Sequence, residues 1–175
     1  MDNYFEHFGL DVTYDIDQKQ LKSAYRQLQK ESHPDRFAHE DVSVQRQAVQ
    51  QTAMNTERFQ TLKSDVHRGS HILHLNQIDF DLASFRVDDI EMLMRQMKYR
   101  EQLSEIKDNN DYNSLEMFHG EMKQLHKELM TQISDLFKAG IVQNEAKLKA
   151  TLCELQFFDK LSYECEQVEE HLLMD

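Results

Sequence analysis

The sequence predicts an all-α protein, and three observations carry that prediction. Only four glycines and one proline serve 175 residues, too few for the many tight turns of an all-β chain. Good helix formers, Gln, Glu, Leu, Met and Lys, are abundant. Apolar residues recur at spacings of three and four along most of the length, the period of a helix with one buried face. With 39% hydrophobic residues the chain can build a real core, so disorder is not the default.

Tyr4, Phe5 and Phe8 crowd a short helix that Gly9 should end. Asp17 followed by Gln20 has capping-box spacing, and Leu21, Ala24, Tyr25 and Leu28 then give one apolar face to a helix over about 18–31. Pro34, the only proline, lacks a backbone donor and biases His33 away from helical geometry, so the helix must stop there. Val44, Ala48, Val49, Thr52, Ala53, Phe59 and Leu62 describe a longer helix over about 41–63, able to return antiparallel on the preceding one. A shorter helix over about 65–75 carries Val66, Ile72, Leu73 and Leu75.

Asn76, Asp79, Asp81 and Ser84 mark a polar linker in which Phe80, Leu82 and Phe85 are set. The expected division is a first domain over 1–76, a linker over 77–86 and a second domain over 87–175. In the second, helices are expected over 87–107, about 112–139 and about 143–173. Asn109 and Asn110 break the first from the second, and Gly140 ends the second. Three amphipathic helices with short loops imply an antiparallel three-helix bundle.

Charge divides the same way. Residues 1–75 carry 9 Lys or Arg against 11 Asp or Glu, a net −2, while 76–175 carry 11 against 21, a net −10, which together make the chain's −12. Two parts with different partners are therefore expected. The acidic total argues against nucleic acid, which needs a basic field. No window approaches eighteen uninterrupted apolar residues, and Met1-Asp2-Asn3-Tyr4 has no basic leader, so neither a membrane span nor a signal peptide is expected. Cys153 and Cys165 fall on one helix, about 18 Å apart, and cannot bridge within it. Both points lead to an expected cytoplasmic location.

Catalytic chemistry has little support. There is no glycine-rich phosphate loop, no cysteine pair at zinc spacing and no serine or cysteine in a nucleophile setting. His67, His71 and His74 could place two imidazoles on one helical face, but without a carboxylate motif they read as ordinary surface histidines. No cofactor and no metal is expected. His33 and Asp35 flank the proline with no third reactive group, so a rigid polar loop offered to another protein is the more sensible reading.

Two surfaces remain. Lys19, Lys22, Arg26 and Lys30, spaced three, four and four, form a basic stripe running toward the proline turn, either a solvated face or a dock for an acidic partner. On the first bundle helix Met92, Tyr99, Leu103 and Ile106 form the core stripe. Met94, Met97, Glu101 and Glu105 fall on the far side, with Leu93 at the border. On the third bundle helix Leu148, Leu152, Leu155, Phe158, Leu161, Cys165, Val168 and Leu172 make a continuous seam, and Phe157 lies off it. These off-core residues form either a partner patch or a face packed on the other domain.

A basic helix, His33-Pro34-Asp35 in a loop and a returning helix together resemble the J-domain, which in its family stimulates ATP hydrolysis by DnaK-type chaperones. Tyr4-Phe5-Glu6-His7-Phe8-Gly9-Leu10, His33-Pro34-Asp35-Arg36-Phe37 and Leu155-Gln156-Phe157-Phe158-Asp159-Lys160-Leu161 resemble the HscB family of iron-sulfur cluster assembly co-chaperones across essentially the whole chain. The resemblance implies an all-α fold with an N-terminal J-domain hairpin and a C-terminal three-helix bundle, and no enzymatic activity. It implies two partners, an HscA-like chaperone of the DnaK type met by His33, Pro34, Asp35, Lys22, Arg26 and Lys30, and an IscU-like cluster scaffold met by Leu93, Met94, Met97, Glu101, Glu105 and Phe157. Lys98 stands where that family's pattern has an acid. The chain also starts without the cysteine-rich extension of some eukaryotic relatives, which gives the expectation of a bacterial type. The alternatives are a general J-type co-chaperone for unfolded clients and a helical metal-binding or enzymatic protein using its histidines.

Overall fold

The computed structural model describes residues 2–86 and 89–174. Among them there are helices and turns and no strand, as the composition predicts. The helices are α1 (Tyr4–His7), α2 (Gln18–Ser32), α3 (Val42–Lys63), α4 (Asp65–Leu75), α5 (Ile90–Asp108), α6 (Tyr112–Ala139) and α7 (Glu145–Met174). Short 3-10 turns at Pro34–Phe37 and Val142–Asn144 precede α3 and α7. The chain forms two compact units, Met1–Asp79 and Phe80–Asp175.

In the first unit Gly9 sits at φ +64° and ends α1, a conformation that costs glycine nothing. Asp17 caps α2 by accepting the amides of Lys19 (2.8 Å) and Gln20 (3.3 Å). Tyr25 stacks on Phe59, Gln29 donates to Thr56, and Thr52 donates to Ser32, so residue numbers climb along α2 as they fall along α3. The pair is therefore an antiparallel hairpin. Its interior holds Phe5, Leu21, Leu62, Val66 and Leu73.

The inward face of α3 differs from the one expected. Val49 is 54% exposed and Ala53 is exposed, while Asn55 is only 1% exposed. The buried or half-buried series is Ala48, Thr52, Asn55, Phe59 and Leu62, spaced four, three, four and three. Val49 and Ala53 lie one residue, about 100°, off that line, so their apolar character did not bury them.

Arg68 of α4 is 3% exposed yet charged. Its Nε donates to the Tyr14 carbonyl (2.7 Å), one Nη donates to the Leu62 carbonyl (2.8 Å), the other pairs with Asp65, and the guanidinium lies 4.9 Å from the Tyr14 ring centroid. A charge can be buried when its donors are satisfied this fully.

In the second unit Asp89 caps α5 and Asp111 caps α6, and Asn110 takes φ +51° in the turn between them. Gly140 ends α6 at φ +116°, and the next residues form a 3-10 turn where a longer helix was expected. His126 pairs with Asp159 and Tyr112 with Glu169, so α6 and α7 run antiparallel. Arg95 pairs with Glu154 and Arg100 covers Phe157, so α5 and α7 run parallel. The expected seam of α7 is buried at every position from Leu148 to Val168, and Leu172 packs at its edge. From α5, Leu103 and Ile106 join it, with Tyr99 against them.

Candidate functional site

The proline turn is built by one residue with two duties. His33 has extended geometry (φ −61°, ψ 127°), which ends α2, and it is also the N-cap of the 3-10 turn. Its Nδ1 accepts the Asp35 amide at 3.3 Å, while Pro34 occupies the first position of the turn, where a missing amide proton costs nothing. The Asp35 carboxylate is 3.6 Å from the same Nδ1. With Nδ1 as acceptor of the Asp35 amide, the neutral tautomer that fits this bond carries its proton on Nε2. The side chains of His33 and Asp35 are 55% and 90% exposed, so the turn is held by its backbone and presents its side chains to solvent.

Neighbouring groups close the open end of α2. Arg36 donates to the Lys30 carbonyl (3.1 Å), one of the carbonyls a helix end leaves without a partner. Gln45 bridges back to the carbonyls of Ala38 (3.3 Å) and Glu40 (2.9 Å). A shallow cavity of about 460 Å³ is lined by Gln29, Lys30, His33 and Arg36. Lys19, Lys22, Arg26 and Lys30 are all exposed, and none forms an ion pair among the described residues. The stripe and the turn therefore meet at Lys30 on one continuous basic surface.

The second candidate surface lies on α5. Met94 and Met97 are each 66% exposed, Leu93 is half-exposed, and Glu101 and Glu105 are exposed with no ion pair among the described residues. Unpaired methionines in line on a helix make an adaptable apolar ridge. Lys98 is exposed on the same helix.

Phe157 corrects the expectation. It is not an off-core, exposed ring but is 7% exposed, packed edge-on against Phe158 (5.3 Å) and covered by the Arg100 guanidinium at 5.6 Å. It joins the α7 seam's cluster and also lines a 440 Å³ cavity with Leu82, Phe85, Met92, Leu93 and Cys153. Helical phase places Phe157 to one side of the seam; Arg100 reaches over that side, and Leu82 and Phe85 border the cavity beside it. Only Leu93 bridges this cavity and the exposed ridge.

The histidines of α4 also separate. His67 is exposed, whereas His71 is 5% exposed, accepts the Tyr4 amide at Nε2 (3.2 Å) and stacks on the Tyr4 ring. Burial, helped by His74, lowers its pKa, so it works as a neutral acceptor anchoring α1 and not as a surface group. No three His, Cys, Asp or Glu among the described residues are placed to hold a metal. No described helix is long and apolar enough to cross a membrane.

Sequence reasoning passed over a buried polar node beside the turn. Thr52 Oγ1 donates to the Ser32 carbonyl (2.9 Å), and Asn55 Nδ2 donates to Ser32 Oγ (3.1 Å). The Asn55 carbonyl oxygen accepts from His7 Nε2 (2.9 Å) and Gln51 (3.0 Å). The signal available was an asparagine on the inward side of the helical period, in phase with Ala48 and Leu62.

Known proteins resemble the whole of this arrangement. A family described as the HSCB C-terminal oligomerisation domain matches residues 88–166. A protein named co-chaperone protein HscB homolog, from Shewanella woodyi, is 38% identical over 97% of this chain and 98% of its own. Its namesake from Colwellia psychrerythraea is 33% identical over 99% of both. Among solved structures, chaperone HscB from Vibrio cholerae superposes with a TM-score of 0.83 at 32% identity, covering 98% of this chain and 99% of that one. The human co-chaperone HscB, at 20% identity, shares the fold with a TM-score of 0.84, over 97% of this chain and 83% of its own.

Proposed function

The chain belongs to the HscB family of co-chaperones, and from that premise we propose that it stimulates ATP hydrolysis by an HscA-like, DnaK-type chaperone and delivers an IscU-like scaffold to it. The observation that carries the first half is the turn itself. The turn is fixed by caps at both ends, exposes His33 and Asp35 with Pro34 half-buried between them, and is continuous with a basic stripe that forms no ion pair among the described residues. Lys22, Arg26 and Lys30 steer an acidic face of the chaperone onto the helix, and the turn supplies directed hydrogen-bonding groups once it is there.

Leu93, Met94 and Met97 supply apolar contact for the scaffold, with Glu101 and Glu105 setting its orientation along α5. Phe157 takes part as the floor of the cavity beside Leu93 and not as an exposed anchor. The protein performs no reaction of its own; hydrolysis is the chaperone's. Holding both partners on one chain raises the effective concentration of each for the other, which promotes cluster transfer and maturation of iron-sulfur proteins without new chemistry. The ridge on α5, a single contiguous surface, favours one folded partner over a general role with unfolded clients.

The test is chaperone ATPase stimulation by His33→Gln. The variant is expected to lose stimulation by about tenfold or more while its helicity and scaffold binding stay unchanged, since the side chain is exposed and a lost cap costs only about 1 kcal/mol. Undiminished stimulation by a folded His33→Gln protein would falsify the reading.

A further inference from the structure

We propose that Thr52 and Asn55 are positioning residues for the His33-Pro34-Asp35 turn, acting through Ser32; this rests on the reading that the turn is what stimulates the chaperone. The turn has only a loosely packed floor, with Pro34 and Phe37 half-buried and α3 against it. No residue of Pro34–Phe37 is buried, and behind it lies a cavity of about 430 Å³ bordered by Ser32, Phe37, Val44, Ala48 and Gln51. Apolar packing this loose does not by itself set the direction in which His33 leaves α2. Directional bonds do.

Ser32, the last residue of α2, is the covalent neighbour of His33 and is 8% exposed. Three of its atoms or bonds are fixed from outside the turn. Its carbonyl, which a helix end would leave without a partner, accepts from Thr52; its Oγ accepts from Asn55 and donates to the Leu28 carbonyl (2.8 Å). Asn55, 1% exposed, is itself immobilised, since its carbonyl oxygen is taken by His7 and Gln51. His7 in turn accepts from Arg58 (2.9 Å), which pairs with Asp2 (2.9 Å). A chain of side chains thus runs from the N-terminal segment through α3 to the residue before the turn. At its buried centre, where Asn55 and Thr52 hold Ser32, such a network favours one geometry.

Ser32 and Asn55 are buried and Thr52 is half-buried, so the contribution of these three is orientation and not contact. The experiment is a titration of chaperone ATPase stimulation with Thr52→Val, which keeps the side chain's shape and removes its hydroxyl, and with Ser32→Ala, which removes the acceptor used by Asn55. Maximal stimulation is expected to fall about fivefold, the scale of one net hydrogen bond. The half-saturating concentration is expected to stay within about twofold, because the basic stripe is intact. Thr52→Ser, which restores the hydroxyl, should restore the maximum.

Both variants stimulating to the full maximum would overturn the assignment, as would a loss that Thr52→Ser does not rescue or that coincides with lost helicity at the assay temperature. His33→Gln, measured beside them, separates the two failures. If it abolishes stimulation while Thr52→Val and Ser32→Ala do not, the positioning assignment alone is lost; if it has no effect, the reading of the turn is lost as well.

Discussion

Between Met1 and Asp79 the apolar interior is crossed by hydrogen bonds from buried polar side chains that join the helices, whereas between Phe80 and Asp175 the helices are joined by a shared apolar seam. In the first unit Ser32, Asn55, Arg68 and His71 are all buried, and each reaches a partner on another element or in a loop. In the second, Leu103, Phe118, Met122, Phe158, Leu161 and Cys165 form one cluster, and the polar links Arg95–Glu154, Tyr112–Glu169 and His126–Asp159 lie toward the surface. Hydrogen bonds are directional but individually add only about 0.5–1.5 kcal/mol, while apolar burial has no preferred direction and accumulates with area. The difference matches the two tasks proposed for them. A turn that must present three residues in one orientation is framed by directional bonds; a rod that must carry an exposed apolar ridge is held from its opposite side by burial.

Phe157 offers the sharpest way to break that contrast. If the second unit depends on its seam, Phe157→Ala should lower unfolding free energy by about 3 kcal/mol, the low end for a buried phenylalanine because one edge borders a cavity. Met94→Ala and Met97→Ala together should cost less than about 1 kcal/mol, since both side chains are largely exposed. Urea denaturation followed by circular dichroism measures both, and equal costs for the two would remove the distinction between ridge and seam.

Acidification gives a smaller effect that reaches both units, each with one buried neutral histidine. Burial, helped by His74, holds the His71 pKa below the ordinary histidine value; burial, helped by Lys123 and opposed by Glu166 and Glu169, does the same for His119. The unfolded chain then binds protons near pH 6.5 that the folded chain refuses, so stability is complete above that pH and declines as pH falls through the lowered values. His71 loses its bond from the Tyr4 amide on protonation. The Nε2 of His119 has no hydrogen-bond partner among the described residues, so there the loss is chiefly of burial. Denaturation at pH 7.5 and 5.5 should show a pH dependence that His71→Gln and His119→Gln each reduce. A slope unchanged in both variants would assign the acid sensitivity elsewhere.

Gly120 carries the smallest expected change. It is exposed within α6, and a Cβ there would meet nothing within 4 Å. Neither packing nor backbone geometry requires glycine, so Gly120→Ala should raise stability by about 0.5–1 kcal/mol through helix propensity alone. A destabilised Gly120→Ala would mean that the helix surface at this point is used in a way its surroundings do not reveal.

The apolar period was readable wherever one helix face decides burial. The α7 seam and the bounds of α2, α3 and α4 follow from spacing, caps and the single proline, all local in the sequence. What was not readable depends on distant neighbours. Asn55 meets Ser32 twenty-three positions away and Arg68 meets Tyr14 fifty-four positions away, and no local pattern announces either pair. Phe157 failed for a related reason: helical phase says which side of a helix a residue occupies, but not that an arginine reaches across to cover that side. Val49 and Ala53 are the converse, apolar letters on a face where nothing arrived to cover them.

The tautomer of His33 makes its ring two-sided. Nδ1 is spent inward on the Asp35 amide, so Nε2 is an outward donor, and what it can recognise on a partner is an acceptor, a carbonyl or a carboxylate. A glutamine places an amide nitrogen near the Nε2 position but has nothing at Nδ1, so it tests the inward bond. An asparagine, a good helix N-cap, keeps an inward acceptor and gives up the outward donor. The two replacements thus divide one residue into a hinge pin and a key: the loss with His33→Gln reports the pin, and the loss with His33→Asn reports the key.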